Sequence, residues 1–264
     1  MRVLIITQED PLFLPFYFDR LLPQTAGAVV EVVALPSFTS LRQTLVYPME
    51  LFGPALYPYV GALVVGRWAG AALLGRLGRP HALDVEGACR KWRTPFRRLR
   101  KINDPAALAH LRSLRPDVLF SLAAPQRFRA ELLGLAPRGC FNIHSALLPR
   151  YRGINAIFWA MLHDEPETGF SIHRMDADLD TGPVVAQQPV PIAPGDSYQD
   201  VCRKVMTAGA DAIADFFRAL AASPDEPAVI RAAAEAGAGR YYSFPRAPER
   251  REFRRKGKRF FRYL

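Results

Sequence analysis

Residues 2–7 read Arg2-Val3-Leu4-Ile5-Ile6-Thr7, and residues 29–35 read Val29-Val30-Glu31-Val32-Val33-Ala34-Leu35. The first run is β-branched and too short for a helix, which suits a central parallel strand with both faces covered. Between the two runs, Leu12 to Leu22 reads as a helix whose early turns Pro15 interrupts, and Pro36 ends the second strand. Strand, helix, strand within the first 35 residues opens an α/β fold. Further along, Asp104 and Pro105 form a cap and first turn for a helix through Leu114, which Pro116 ends. Asp117 to Leu122 is the next buried strand. Gly139 to Ile143 is another, running into a loop punctuated by Pro and Gly. Ile157 to His163 reads as helix, and Thr168 to Met175 and Val184 to Ile192 read as strands. Asp196 to Leu220 is a long helix capped by Asp196 or Ser197. The expected architecture is a mostly parallel sheet with flanking helices and a short basic C-terminal appendage. There is no internal repeat.

Composition bounds the class. With 264 residues, 50% of them hydrophobic and 23% charged, the chain can bury a sizeable core, which excludes disordered, collagenous and disulfide-scaffold classes. Cys89, Cys140 and Cys202 lie far apart, with neither a CxxC pair nor metal-ligand spacing. They fit inert core thiols of a reduced, cytoplasmic protein. Met1 to Thr7 reads as a buried strand, so no signal peptide is expected. The net charge of +10 is unevenly placed: Arg240 to Leu264 holds ten Lys/Arg and two Asp/Glu, a net of +8, leaving only +2 elsewhere. Such a tail attracts phosphate-bearing partners or anionic lipid, or is a solvated surface helix.

Two stretches resist a single reading. Leu51 to Gly66 is sixteen residues without a charge, containing Pro54 and Pro58 and followed by Arg67. A membrane span needs about 20 apolar residues, so the expectation is a buried helical insertion over about residues 45–78, with a helix lying on a membrane surface as the alternative. Ala88 to Lys101 carries seven basic residues and no acidic ones, interleaved with Trp92 and Phe96. That pattern fits a phosphate or single-stranded nucleic-acid site, and equally an amphipathic helix facing water.

The chemistry concentrates elsewhere. There is no G-x-G-x-x-G after the first strand, no Walker loop, no G-x-S-x-G elbow and no H-E-x-x-H, so dinucleotide, P-loop, hydrolase-elbow and zincin chemistries lack support. The strand Phe141-Asn142-Ile143-His144 instead runs into Ser145-Ala146-Leu147-Leu148-Pro149-Arg150-Tyr151-Arg152-Gly153. Asn142 and His144 share one strand face by the period of two, at the carboxyl edge where open α/β sheets bind ligands. Asp178-Leu179-Asp180-Thr181-Gly182-Pro183 follows as an acidic turn. Asp180 beside His144 raises the imidazole's pKa. An amide, an imidazole and a carboxylate without a nucleophile suit transfer to an external one. Taken singly, each residue also reads as structural: a core histidine, a turn asparagine, a turn-capping aspartate.

Asn142 to Gly153, with Asp178-Leu179-Asp180-Thr181-Gly182 and Gly195-Asp196-Ser197, resembles the folate-dependent formyltransferases over about Asp117 to Leu220. That family includes glycinamide ribonucleotide transformylase, methionyl-tRNA formyltransferase and the sugar N-formyltransferases. The resemblance implies a catalytic triad of Asn142, His144 and Asp180. It also implies 10-formyltetrahydrofolate as co-substrate, held by Leu122, Ala124, Gln126, Phe128, Ala177 and Asp178, with no metal. Ile154-Asn155-Ala156 departs from many relatives, which carry Pro there, so the acceptor pocket is this chain's own; Arg150, Arg152 and Asn155 are expected to meet the acceptor.

Residues 1–220 are thus expected to form the catalytic domain and 221–264 a basic extension. The expected activity is formylation of a small primary amine, with a nucleotide-linked amino sugar as the leading acceptor. The expected mechanism has a protonated His144 joining Asn142 at the oxyanion. Methionyl-tRNA is the alternative acceptor, disfavoured because residues after Leu220 are too few for an oligonucleotide-binding barrel. A non-catalytic folate- or RNA-binding protein is the alternative of another class.

Overall fold

A computed structural model describes residues 1–25, 27–37, 41–176, 180–223 and 239–262, with only the backbone given for 41–45. Its strands in chain order are β1 (Val3–Gln8), β2 (Val29–Leu35), β3 (Phe96–Arg98), β4 (Val118–Leu122), β5 (Cys140–His144), β6 (Arg152–Gly153), β7 (Glu167–Arg174), β8 (Val184–Pro191) and β9 (Tyr241–Tyr242). The helices are α1 (Leu14–Leu21), α2 (Leu41–Phe52), α3 (Tyr57–Arg76), α4 (Val85–Lys91), α5 (Pro105–Ser113), α6 (Ala130–Leu133), α7 (Ala156–Leu162), α8 (Tyr198–Ala222) and α9 (Ala247–Arg255). Seven strands make one sheet in the order β3-β2-β1-β4-β5-β7-β8, and β6 pairs separately with β9. The strands from β1 to β5 run parallel, while β7 and β8 continue the sheet antiparallel.

The period of two decides the core. Val3 and Ile5 of β1 face one apolar cluster with Phe18 of α1 and Phe216 of α8. Leu4 and Ile6 face a second, with Leu108 of α5 and Leu132 of α6. Both faces of β1 are therefore covered, as its unbroken apolar run requires. Because β1 lies between β2 and β4, the connection order reverses there, and the carboxyl ends of β1, β4 and β5 open onto one crevice edge.

Several expectations change. Residues 45–78 are not an insert in the fold. They belong to α2 and α3, which together with α4 make the connection between β2 and its parallel neighbour β3. Nor is α3 buried: only Val60 and Ala71 are, while Val65, Trp68 and Leu73, with Leu77 just past its end, stand 57 to 62% exposed. A helix apolar on all sides can turn only one of them to the body. Among the described residues, no helix is long and apolar enough to cross a membrane. The basic stretch Ala88 to Lys101 is not one amphipathic helix; it is the end of α4, a turn, and the sheet-edge strand β3. Four of its seven charges are in ion pairs: Arg90 with Glu86 at 2.8 Å, Lys91 with Asp19 at 2.7 Å, Arg97 with Glu31 at 2.9 Å, and Arg98 with both Glu9 and Glu86. Charged side chains on an edge strand also discourage pairing with another chain.

At the long helix, Ser197 is the cap, in a reciprocal box with Asp200. Asp196 instead accepts from the Ala193 N–H at 2.8 Å and binds Lys204. Asp104 stands at the cap position of α5 without a side-chain cap bond. The C-terminal segment is docked onto the body. Phe253, Phe260 and Phe261 are buried, and the Phe253 ring stacks on Phe158 of α7 at 4.8 Å. Arg250 and Arg254 donate to the backbone carbonyls of Met49 and Phe52 at the end of α2.

Candidate active site

β5 carries Asn142 and His144 to the carboxyl edge of the sheet, and the turn after β7 brings Asp180 to them. His144 Nδ1 lies 3.7 Å from Asp180 Oδ2, and each side chain is 8% exposed. Asp180 has a left-handed backbone, φ +53°, and its Oδ2 accepts the Gly153 N–H at 3.0 Å. Gly182 belongs to the same turn; a Cβ there would sit 1.9 Å from the Arg174 carbonyl oxygen, so the turn closes only around glycine.

The histidine's proton is placed by its partners. His144 Nε2 sits 2.7 Å from the Tyr151 carbonyl, which can only accept, so Nε2–H donates and Nδ1 keeps its lone pair toward Asp180. Burial pushes the His144 pKa down, and although Asp180 and the Tyr151 carbonyl push it up, burial wins. Against the sequence-based expectation of a protonated His144, the surroundings of the ring in the free protein thus favour its neutral form. Burial pushes Asp180 the other way, up. A hydrogen bond from His173, the charge that His144 carries when protonated and the Gly153 N–H outweigh that, so its pKa falls below the usual carboxylate range.

His173, which sequence reasoning missed, is the fourth member. β5 and β7 place it directly opposite Asn142, and its Nε2 is 3.0 Å from Asn142 Nδ2 and 3.5 Å from Asp180 Oδ1. Its Nδ1 is 3.0 Å from the Arg174 carbonyl, so Nε2 stands between the Asn142 amide and the Asp180 carboxylate. That amide keeps a second hydrogen for a ligand. The sequence signal was only a histidine inside an expected strand; its partner is set by the antiparallel register.

The remaining expected residues separate. Arg150 is half exposed, 3.5 Å from Glu165. Arg152 lies on β6, and Asn155 caps α7 with a left-handed backbone, its amide nitrogen buried without a hydrogen bond. These three flank the triad on the loop after β5. On the other side, Leu122 and Phe128 are core residues, and Ala124 packs partly buried against the second cluster. Gln126 spends its amide on the backbone, donating to the Arg100 carbonyl at 2.7 Å and accepting from the Ile102 N–H at 3.0 Å. Ala177 and Asp178 lie outside the described residues. The expected residues of the loop after β4 thus offer a ligand mainly backbone. Among the described residues there is no group of three or more His, Cys, Asp or Glu side chains that could hold a metal ion.

Residues 62–216 match the family model described as formyl transferase. A methionyl-tRNA formyltransferase from Anaeromyxobacter sp. (strain K) is 36% identical over 178 residues, 64% of this chain and 57% of that one. Another, from Trichlorobacter lovleyi, is 36% identical over 115 residues, 44% of this chain and 36% of that one. The chain spans about half the length of the curated relatives it matches, between 36 and 57%. Among solved structures, phosphoribosylglycinamide formyltransferase from Bacillus halodurans superposes with a TM-score of 0.59 at 18% identity, covering 88% of this chain and 100% of that one. A sugar N-formyltransferase from a Shewanella species gives 0.54 at 17% identity, covering 92 and 77%. At those identities the structural likeness shows the fold alone. The family model covers more than half of the sequence, including β5 and the Asp180 turn, and the chain belongs to the formyl transferase family.

Proposed function

We propose that this protein transfers a formyl group from 10-formyltetrahydrofolate to a primary amine on a small acceptor, with a nucleotide-linked amino sugar as the leading class. The observation that carries the reading is the convergence of Asn142, His144 and Asp180 in one buried cluster at the carboxyl edge of the sheet. The donor set suits a reduced folate: backbone after β4 on one side and hydrogen-bonding side chains without a metal on the other. When bound, the folate supplies an activated formyl carbon. The acceptor nitrogen forms a bond to that carbon as the bond to the donor nitrogen breaks. The free hydrogen of the Asn142 amide stabilises the negative charge that develops on the formyl oxygen. Neutral His144 takes the proton from the attacking amine at Nδ1, where the Asp180 carboxylate pairs with the resulting imidazolium. The same proton then passes to the departing donor nitrogen, so charge and proton count balance.

Arg150, Arg152 and Asn155 on the acceptor side support an anionic acceptor, since guanidinium groups match phosphate geometry. A second reading, methionyl-tRNA as acceptor, draws support from the names of the curated relatives. The test is release of tetrahydrofolate from 10-formyltetrahydrofolate in the presence of a panel of nucleotide-linked amino sugars, other small amines and charged methionyl-tRNA. Turnover with an amino sugar and none with tRNA is expected. Turnover confined to tRNA would replace the first reading by the second. Absence of folate binding at millimolar concentration would move the protein to a non-catalytic class.

A further inference from the structure

The C-terminal segment reaches the loop whose backbone holds two of the triad residues. β9 adds a parallel strand to β6: the Arg152 N–H donates to the Arg240 carbonyl at 3.1 Å and the Ile154 N–H to the Tyr242 carbonyl at 2.9 Å. The Tyr242 ring stacks on Tyr151 with centroids 5.1 Å apart and 25° between planes, and it also contacts Trp159 at 5.0 Å. Trp159 Nε1–H donates to the Ser243 carbonyl at 3.1 Å. These contacts pin residues 151–154 at both ends. Within that span lie the two backbone groups that orient the reactive side chains, the Tyr151 carbonyl on His144 and the Gly153 N–H on Asp180. Gly153, at φ +102°, has the Tyr242 carbonyl so close that a Cβ would sit 2.2 Å from it.

We propose that Tyr242 is a positioning residue for the triad: by stacking on Tyr151 and extending β6 it fixes the loop whose backbone holds His144 and Asp180 in register. The proposal takes the identity of the triad from the functional reading above, but its first readout does not depend on turnover. A basic tail of this kind invites a nucleic-acid role. The geometry assigns its first described strand to the active site instead, and the loop it braces lies 89 residues upstream.

The test uses the full chain with Tyr242→Phe, Tyr242→Leu and Gly153→Ala, the leucine keeping apolar bulk and the alanine displacing the ladder with the ring intact. Ring nitrogen NMR of His144, assigned by difference with His144→Gln, reads its tautomer and titration. Tyr242→Phe should match the wild type in every respect. Tyr242→Leu and Gly153→Ala should alter the His144 tautomer ratio and shift its titration. With an acceptor in hand they should lower kcat about 10- to 100-fold, as misplacement of the order of 1 Å does, with the folate KM little changed. Folded Tyr242→Leu and Gly153→Ala proteins whose His144 signals and pH profile equal those of the wild type would overturn the proposal. A wild type without formyl transfer, but whose His144 signals move in these variants, would instead refute the functional reading and leave the positioning role standing.

Discussion

His144 sits where burial disfavours its charge while Asp180 stands ready to pair with it, and that tension sets what its substitution should do. Replacing His144 with Ala should remove about 100- to 10,000-fold of turnover, the usual worth of a positioned proton transfer. Asn142→Ala should cost about 100- to 1,000-fold, the worth of one oxyanion donor. Near-normal transfer by either folded variant would break the role assignment. The pH dependence has a definite sign. As a base, His144 works only when neutral, and its pKa is lowered. The acid limb of kcat/KM should therefore lie below about 6.5, the ordinary histidine value; a limb above it would contradict the neutral resting state. Folding obeys the same sign. Between the lowered folded pKa and about 6.5 the unfolded chain binds a proton that the folded chain refuses, so stability falls as pH drops through that window. Urea unfolding from pH 7 to pH 5 should show the wild type losing more stability than His144→Gln.

At the scale of elements, the burial of each helix decides how much a substitution costs. Ser197 begins α8 with a reciprocal box, so Ser197→Ala should cost about 1 kcal/mol, a shift of about 2–4 °C in Tm for a chain of this size. Phe253 of α9 is fully buried against Phe158, and Phe253→Ala should cost about 3–5 kcal/mol. Trp68→Ser and Leu73→Ser on the open side of α3 should each change stability by no more than about 0.5 kcal/mol. Thermal melts of the four variants test this ordering. A large loss from Trp68→Ser would mean that α3 packs against something on that side. The elements also mark how far sequence reading reaches. β1, β2, β4 and β5 were legible within about two residues, since short β-branched runs bounded by proline or glycine have few other uses. β3 was not, because Phe96-Arg97-Arg98 has no apolar pattern of its own and is a strand only through its pairing with Val32 to Ala34.

For the whole molecule, the basic tail is where local charge and tertiary role part company. Several of its ten cations are used internally: Arg250 and Arg254 on α2 carbonyls, and Lys256 and Lys258 on Asp164 at 2.7 and 2.8 Å. Fewer remain to neutralise phosphates, so tRNA affinity should be weak and shallow in salt, each phosphate contact contributing a log–log slope of about −0.7 to −0.9. Removing the whole tail would uncover Phe158 and Phe52, against which Phe253 and Phe260 pack, so the informative variant reverses charge on the outer side of α9, at Arg251 and Arg255. Filter binding of tRNA across a salt series should show little difference between that variant and the wild type. Steep salt dependence abolished by the reversal, together with formylation of charged tRNA, would favour the methionyl-tRNA reading.

The amino-acid sequence by itself determined the α/β opening and the edge of the sheet at which Asn142 and His144 emerge, while Asp180 as their partner followed from the family resemblance of its turn. Those features are local: a period of two, a proline or glycine stop, and a short motif. Tertiary structure alone decided what depends on residues distant in the chain. His173 meets Asn142 across 31 positions, and Ser243 meets Trp159 across 84. No periodicity within either segment encodes such a meeting. The lowered pKa of His144 belongs with these. A carboxylate neighbour argues from sequence for a raised pKa, but the desolvation that outweighs it comes from the surrounding fold. The tail follows the same rule, because its charge is written in its composition while its docking depends on aromatic rings that only the folded body brings beside it.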